Sequence, residues 1–171
     1  MENEGKMEKR LSLLALRMAR YEVGCPQRVS HFLKVYSYAR HIGLLTGLPR
    51  EEQDTLEAAA LMHDIGIRKS LEKYHSSAGN YQELEGPGEA APILEELGFP
   101  SEMQKRILFL IAHHHTYSEI QGMDYQILVE ADYLVNIEEG GMESLKAKTV
   151  MDNLFCTEAG KELLTHLFLE D

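Results

Sequence analysis

Apolar residues recur along this chain at helical spacing, and almost nowhere with the period of two that a half-buried strand requires. Leu11, Leu14, Met18 and Tyr21 mark an amphipathic helix from Met7 to about Val23, broken by Gly24, Cys25 and Pro26. Pro26 suits the first turn of a second helix, which runs to about Thr46 and closes at Gly47. His31, Val35, Tyr38 and Ile42 share one stripe of it, so His31 faces apolar company rather than water. A third helix is expected from about Glu51 to Ile65. Leu56, Ala59, Ala60 and His63 lie on one face of it, and Gly66 supplies its stop signal.

Residues 67–88 are the least regular stretch and are long for a simple connection, so a loop over a functional site competes with ordinary flexibility there. A short helix is expected at Ala90–Leu97, with Pro92 tolerable only in its first turn. Gly98 and Pro100 break the chain, and Ser101 caps a helix reaching His113, His114 and His115. Further helices are expected at about Tyr125–Glu138, Met142–Phe155 and Glu158–Leu169. The expected fold is all-α, a single-domain helical bundle. Residues 1–24 would pack on a core at 25–140, and 141–171 would complete the same domain.

Composition narrows the function classes. Hydrophobic residues make up 44% of the 171, ample for a core, while the net charge of −11 argues against a nucleic-acid polymer or an anionic membrane as partner. A small phosphorylated substrate stays compatible, because a metal and a few local cations can reverse the sign within one pocket. Cys25 and Cys156 have no ligand spacing and read as reduced thiols of a cytoplasmic protein. The charged start and the lack of a run of about 18 apolar residues point away from export and membrane insertion.

The chemistry lies in polar residues on apolar faces. His63 and Asp64 end an otherwise apolar helix, and a buried carboxylate needs a partner; hydrogen bonds or a divalent metal would serve. Asp132 sits on a stripe with Leu128, Ala131 and Val135, so it too points inward. Three helices thus each aim potential ligands at the core: His31, His63 with Asp64, and Asp132. Two imidazoles and two carboxylates suit Mn2+, Fe2+, Co2+, Ni2+ or Mg2+ with open positions better than a closed structural zinc site.

His31, then His63-Asp64, then Asp132 resembles the H…HD…D pattern of the HD superfamily of metal-dependent phosphohydrolases, and Ile65-Gly66 completes its HDIG form. The resemblance spans about Val29–Val135 and implies an HD-type helical bundle with the metal site between helices. It also implies a mononuclear or dinuclear centre whose water attacks phosphorus, with Asp64 at that water as well as on the metal.

Three departures accompany it. Dinuclear members carry a further His where Gly86 falls; Glu85 or Glu89 is a possible substitute ligand. The His-His pair of such members matches His114-His115, or His113-His114 in the neighbouring register. The Lys that often follows HDIG is Ile67 here, with Arg68 and Lys69 at shifted offsets. These departures favour one divalent ion, with His114, His115, Arg68 and Lys69 at a substrate phosphate or a second metal.

His41 and His166 read as structural or surface residues, His75 as a loop residue that could approach the site, and Glu95-Glu96 and Glu138-Glu139 as solvated helix ends. The resulting expectation is hydrolysis of a phosphomonoester or phosphodiester in a small metabolite, with a nucleotide as the leading kind. A catalytically degenerate metal- or nucleotide-binding module of the same fold is the alternative, and a homodimer is compatible with either.

Overall fold

A computed structural model describes residues 2–141 and 143–169; no side chain is described for residues 1–4, 142, 144, 145, 170 and 171. The described residues form nine helices and no strand: α1 (Glu2–Tyr21), α2 (Pro26–Thr46), α3 (Arg50–Met62), α4 (Gly66–Tyr74), α5 (Gly79–Glu96), α6 (Ser101–Ile111), α7 (Met123–Gly140), α8 (Ser144–Leu154) and α9 (Glu158–Phe168). The fold is all-α, as the periodicity predicts. Met142, the expected start of the eighth helix, lies outside the described residues.

Helix α3 is the axis of the bundle. Every residue from Gln53 to Met62 is buried, not only the expected face of Leu56, Ala59, Ala60 and His63. Ala58, Ala59 and Ala60 are small enough to let α1, α2, α6 and α7 close on it from several sides. The charges this traps are matched locally. Glu57, wholly buried, takes Arg40 Nη1 on both carboxylate oxygens at 2.9 and 2.8 Å and Gln53 Nε2 at 2.7 Å. Helix α2 lies along α3 and α7, and α9 packs on α2 and α7. Its end follows the sequence signal, for Gly47 adopts φ 79° and its N–H reaches back to Gly43 O and Leu44 O.

Gly66 departs from the expected role. It opens α4 instead of stopping α3, which ends at Met62 in a turn at 63–65. Its requirement is space: a Cβ on Gly66 would stand 2.4 Å from Gln82 O and 2.9 Å from Gly86 N. Helices α4 and α5 therefore cross backbone to backbone at Gly66 and Gly86.

Residues 67–88, expected to be irregular, are mostly helical. Helix α5 runs through both Pro87 and Pro92, against the expected short helix. Interior prolines cost about 3 kcal/mol each, but Gln82, Gly86, Ala90, Ile93 and Leu94 form a continuous buried stripe between α4 and α6 that neither proline occupies. Tertiary burial outweighs the local penalty.

Candidate metal centre

The turn after α3 delivers two adjacent side chains to one point. His63, with no solvent exposure, donates its Nδ1–H to Ala60 O at 2.8 Å, which leaves the Nε2 lone pair facing inward. Asp64 follows in the turn itself, pinned by Ile67 N–H to Asp64 O at 3.0 Å. From α2, His31 donates Nδ1–H to Glu139 Oε2 at 2.8 Å and likewise presents Nε2. From α7, Asp132 enters with 3% of its surface exposed.

These groups meet closely. His31 Nε2 lies 3.3 Å from His63 Nε2, 3.2 Å from Asp132 Oδ1 and 3.4 Å from Asp64 Oδ2. His63 Nε2 lies 3.4 Å from Asp132 Oδ1 and 3.5 Å from Asp64 Oδ2. Both imidazoles spend their N–H groups outside the cluster, so four acceptor atoms converge. Lone pairs at such distances repel unless a proton or a cation stands among them. Ligand bonds of about 2.1 Å at angles of about 100–113° would span these separations. The residues fit a divalent ion, and the mixed N/O set suits Mn2+, Fe2+, Co2+ or Ni2+, with Mg2+ compatible.

Without a cation the same geometry is felt as proton affinity. Burial lowers the His63 pKa, but Asp64 and Asp132 outweigh burial and raise it to about 9. Burial lowers the His31 pKa as well, but the hydrogen bond to Asp132, the charge of Asp64 and the hydrogen bond to Glu139 together raise it. Burial pushes the Asp64 carboxyl up, yet His63 and His114 bring it down to about 2, and His31 and His63 hold Asp132 below the usual carboxylate range in the same way.

A second group adjoins the first through Asp64. His114, in the turn after α6, donates Nδ1–H to Ile111 O at 2.8 Å, and its buried Nε2 has no hydrogen-bond partner while Asp64 Oδ1 stands 3.4 Å away. His115 lies beside it, with Nε2 3.2 Å from Gln82 Oε1 and its backbone N–H on Glu83 at 2.9 Å; burial and His114 lower its pKa. Asp64, His114 and His115 could together hold a metal ion. His113 instead stacks on Phe109 at 4.2 Å, so His114 and His115 are the pair beside Asp64.

The centre opens into a cleft of about 310 Å³ whose lining includes His31, Asp64, Asp132 and His115. A larger cleft of about 400 Å³ near the start of α3 is lined by Glu51, Glu52 and the Arg106–Asp124 pair; no histidine lines it among the described residues, whereas His31, Asp64 and Asp132 of the converging cluster line the smaller one.

Several expected site residues lie elsewhere. Arg68 donates to Tyr21 O at 2.8 Å and sits over the Tyr21 ring, and Lys69 pairs with Glu72 at 3.5 Å; neither lines the cleft. Glu85 accepts Lys73 Nζ and Tyr74 Oη, and Glu89 accepts Tyr21 Oη, so neither stands in for the family histidine. At position 86 a Cβ would fall 2.6 Å from Ile111 Cγ2, and packing leaves no room for a ligand there. His75 caps α4 at φ 54° and is exposed, and His41 is exposed with Nδ1 on Ser37 O.

Sequence reasoning also overlooked groups that matter. Glu139, read as a solvated helix end, orients His31 and pairs with Lys34 at 2.9 Å. Arg28, Asn136 and Gln82 line the cleft. Helical offsets carried the signal: Arg28 is three residues before His31, and Asn136 and Glu139 are four and seven after Asp132.

The family model of the HD domain matches residues 28–152, a stretch that holds all four converging residues. No curated protein and no solved structure matches the chain.

Proposed function

The chain belongs to the HD domain family, and from that premise we propose that it is a metal-dependent phosphohydrolase acting on a phosphomonoester or phosphodiester of a small metabolite, a nucleotide being the leading kind. The observation that carries the reading is the convergence of His31 Nε2, His63 Nε2, Asp64 Oδ2 and Asp132 Oδ1, four acceptors with no donor among them. These residues would hold one divalent ion, which supplies acidity to a water and positive charge for the phosphoryl oxygens.

The chain's own part follows from Asp64. Its Oδ2 faces the two imidazoles of the metal set, while Oδ1 faces His114 Nε2. One oxygen thus serves the ion, and the other orients a water and takes its proton, with the unpartnered His114 Nε2 as the next acceptor. Glu139 and Ala60 O fix the tautomers of His31 and His63, so both nitrogens are ready for the ion. His115, which burial keeps neutral, lines the cleft where a phosphate oxygen would lie.

The test is phosphate release from a panel of nucleotides and other phosphomonoesters and diesters with Mn2+, Fe2+, Co2+ or Mg2+. Asp64→Ala runs beside the wild type. Turnover of one substrate class that vanishes in the variant is the expected result. Metal binding with no turnover across the panel would overturn it in favour of a binding module of the same fold.

A further inference from the structure

With Arg68 and Lys69 turned away from the cleft, the cation that meets the phosphate has to be sought elsewhere. Among the described residues lining the cleft, Arg28 carries the only permanent positive charge. It lies one helical turn before His31 on α2, hence on the same wall. Its Nη1 donates to Glu22 Oε2 at 2.8 Å, and Glu22 is itself only 5% exposed. A guanidinium has five N–H donors in a rigid fork. Glu22 takes one and fixes the plane, leaving donors along the cleft wall for a second anion.

The carboxylates nearby outnumber the cations. Asp64 and Asp132 face the proposed divalent ion, Lys34 is shared between Glu138 and Glu139, and Glu22 takes one donor of Arg28. The rest of the polar wall is neutral carboxamide. Gln82 is committed at both ends, Nε2 to Ser77 O and Oε1 to His115, whereas Gln27 and Asn136 border the cleft. Such a cleft offers one guanidinium to a phosphoryl group and, among its described lining residues, no further cation for a second anionic group.

We propose that Arg28, held by Glu22, is the phosphate-binding residue of this cleft, and that the substrate carries a single phosphoryl group on an uncharged polar body. This rests on the hydrolase reading above and specifies its substrate class.

The test is calorimetric titration of the full chain, loaded with Mn2+, using inorganic phosphate, glycerol phosphate and phosphoglycerate as probes. The two esters are close in size and differ by a carboxylate. Arg28→Met is expected to weaken phosphate and glycerol phosphate at least tenfold and Arg28→Lys less, because a charge-assisted hydrogen bond is lost while the metal ligands stay. Mn2+ affinity, titrated separately, is expected to stay within about twofold. Wild type is expected to bind phosphoglycerate at least tenfold more weakly than glycerol phosphate. If Arg28→Met leaves Glu22 stranded and unfolds the chain, the pair Glu22→Gln/Arg28→Met removes the buried carboxylate together with its partner and gives the same readout. Unchanged phosphate affinity in the variant, or equal affinity for the two esters, overturns this inference and leaves the hydrolase reading intact. A metal-loaded wild type that binds no phosphate compound overturns both.

Discussion

The proton affinity of the centre yields a prediction that joins stability, pH and metal. In the metal-free protein the pKa of His63 rises from 6.5 to about 9 on folding, through Asp64 and Asp132. A group whose pKa is raised stabilises the fold while it is protonated. Its contribution is therefore complete below about pH 6.5 and is lost as the pH passes about 9. Between those limits it amounts to about 3 kcal/mol. For a chain of this size each kcal/mol moves Tm by about 3 °C, so the metal-free protein should lose about 9 °C over that interval. The lowered pKa of Asp64 acts at the other end: its contribution is present above about pH 4 and lost as the pH falls towards about 2. It reports the same interaction from the other partner and is not added to the first. Mn2+ reverses the trend, because binding requires His63 Nε2 to give up its proton. At a hundred times Kd the ion contributes about 2.7 kcal/mol, or about 8 °C, and its affinity grows with pH. Thermal melts in chelator and in Mn2+ should therefore diverge from about pH 6 to about pH 9. The net charge of −11 also weighs on stability at high pH, and Asp132→Asn separates the two effects by reducing the His63 and His31 components while changing the net charge by one. A chelator curve with the same slope in wild type and Asp132→Asn, or melts unaffected by Mn2+, would refute the reasoning.

Three further perturbations probe what holds the site. Glu139→Gln weakens the partner of His31 Nδ1 and should cost about tenfold to a hundredfold in Mn2+ affinity by calorimetry, with the fold intact by circular dichroism. Gly66→Ala drives a Cβ to 2.4 Å from Gln82 O, a backbone atom that cannot swing aside, and should cost about 3 kcal/mol or more in urea unfolding. Glu130 is wholly buried and accepts Gln126 Nε2 at 2.8 Å, Cys156 N at 2.6 Å and Thr157 N at 3.0 Å, joining α7 to the start of α9. Glu130→Ala should therefore cost about 3 kcal/mol and speed proteolysis near residues 155–169, while Mn2+ affinity falls less than in Glu139→Gln, because Glu130 contacts the start of α9 and not the centre.

What the sequence made legible follows from period and burial. The stripe of α2 puts His31 on an inward face, as its spacing predicts, whereas α7 is buried all round from Asp124 to Asp132, so Asp132 is inward for a broader reason than its stripe. The end of α3 was harder to read. Gly66 carries a stop signal, but its value here is that it lacks a side chain at a helix crossing, and a crossing is a long-range fact. Helix α5 was hidden for a related reason. Pro87 and Pro92 forbid it locally, while the stripe from Gln82 to Leu94 that overrules them shows only when bridged across both prolines. Glu139 looked solvated because acids at a helix end normally are; its role comes from His31, 108 residues away.

The two glycines also bear on how many ions the site was shaped to hold. The crossing at Gly66 and Gly86 brings α5 against the start of α4, directly after the turn that carries Asp64. Position 86, where dinuclear relatives are expected to supply a further histidine, is therefore a backbone contact whose missing Cβ faces Ile111. A Cβ there would stand 2.6 Å from Ile111 Cγ2, so a ligand side chain would press α5 against α6. Gln82, one turn earlier, turns its carboxamide to His115 and Ser77 O. The side of Asp64 facing His114 and His115 thus offers two imidazoles and no second carboxylate, where the side facing His31, His63 and Asp132 offers two imidazoles and one. Under the proposed chemistry that asymmetry divides the labour of one carboxylate. The crowded side holds the ion, and the open side, with the unpartnered His114 Nε2 at its back, is left for the water and its proton.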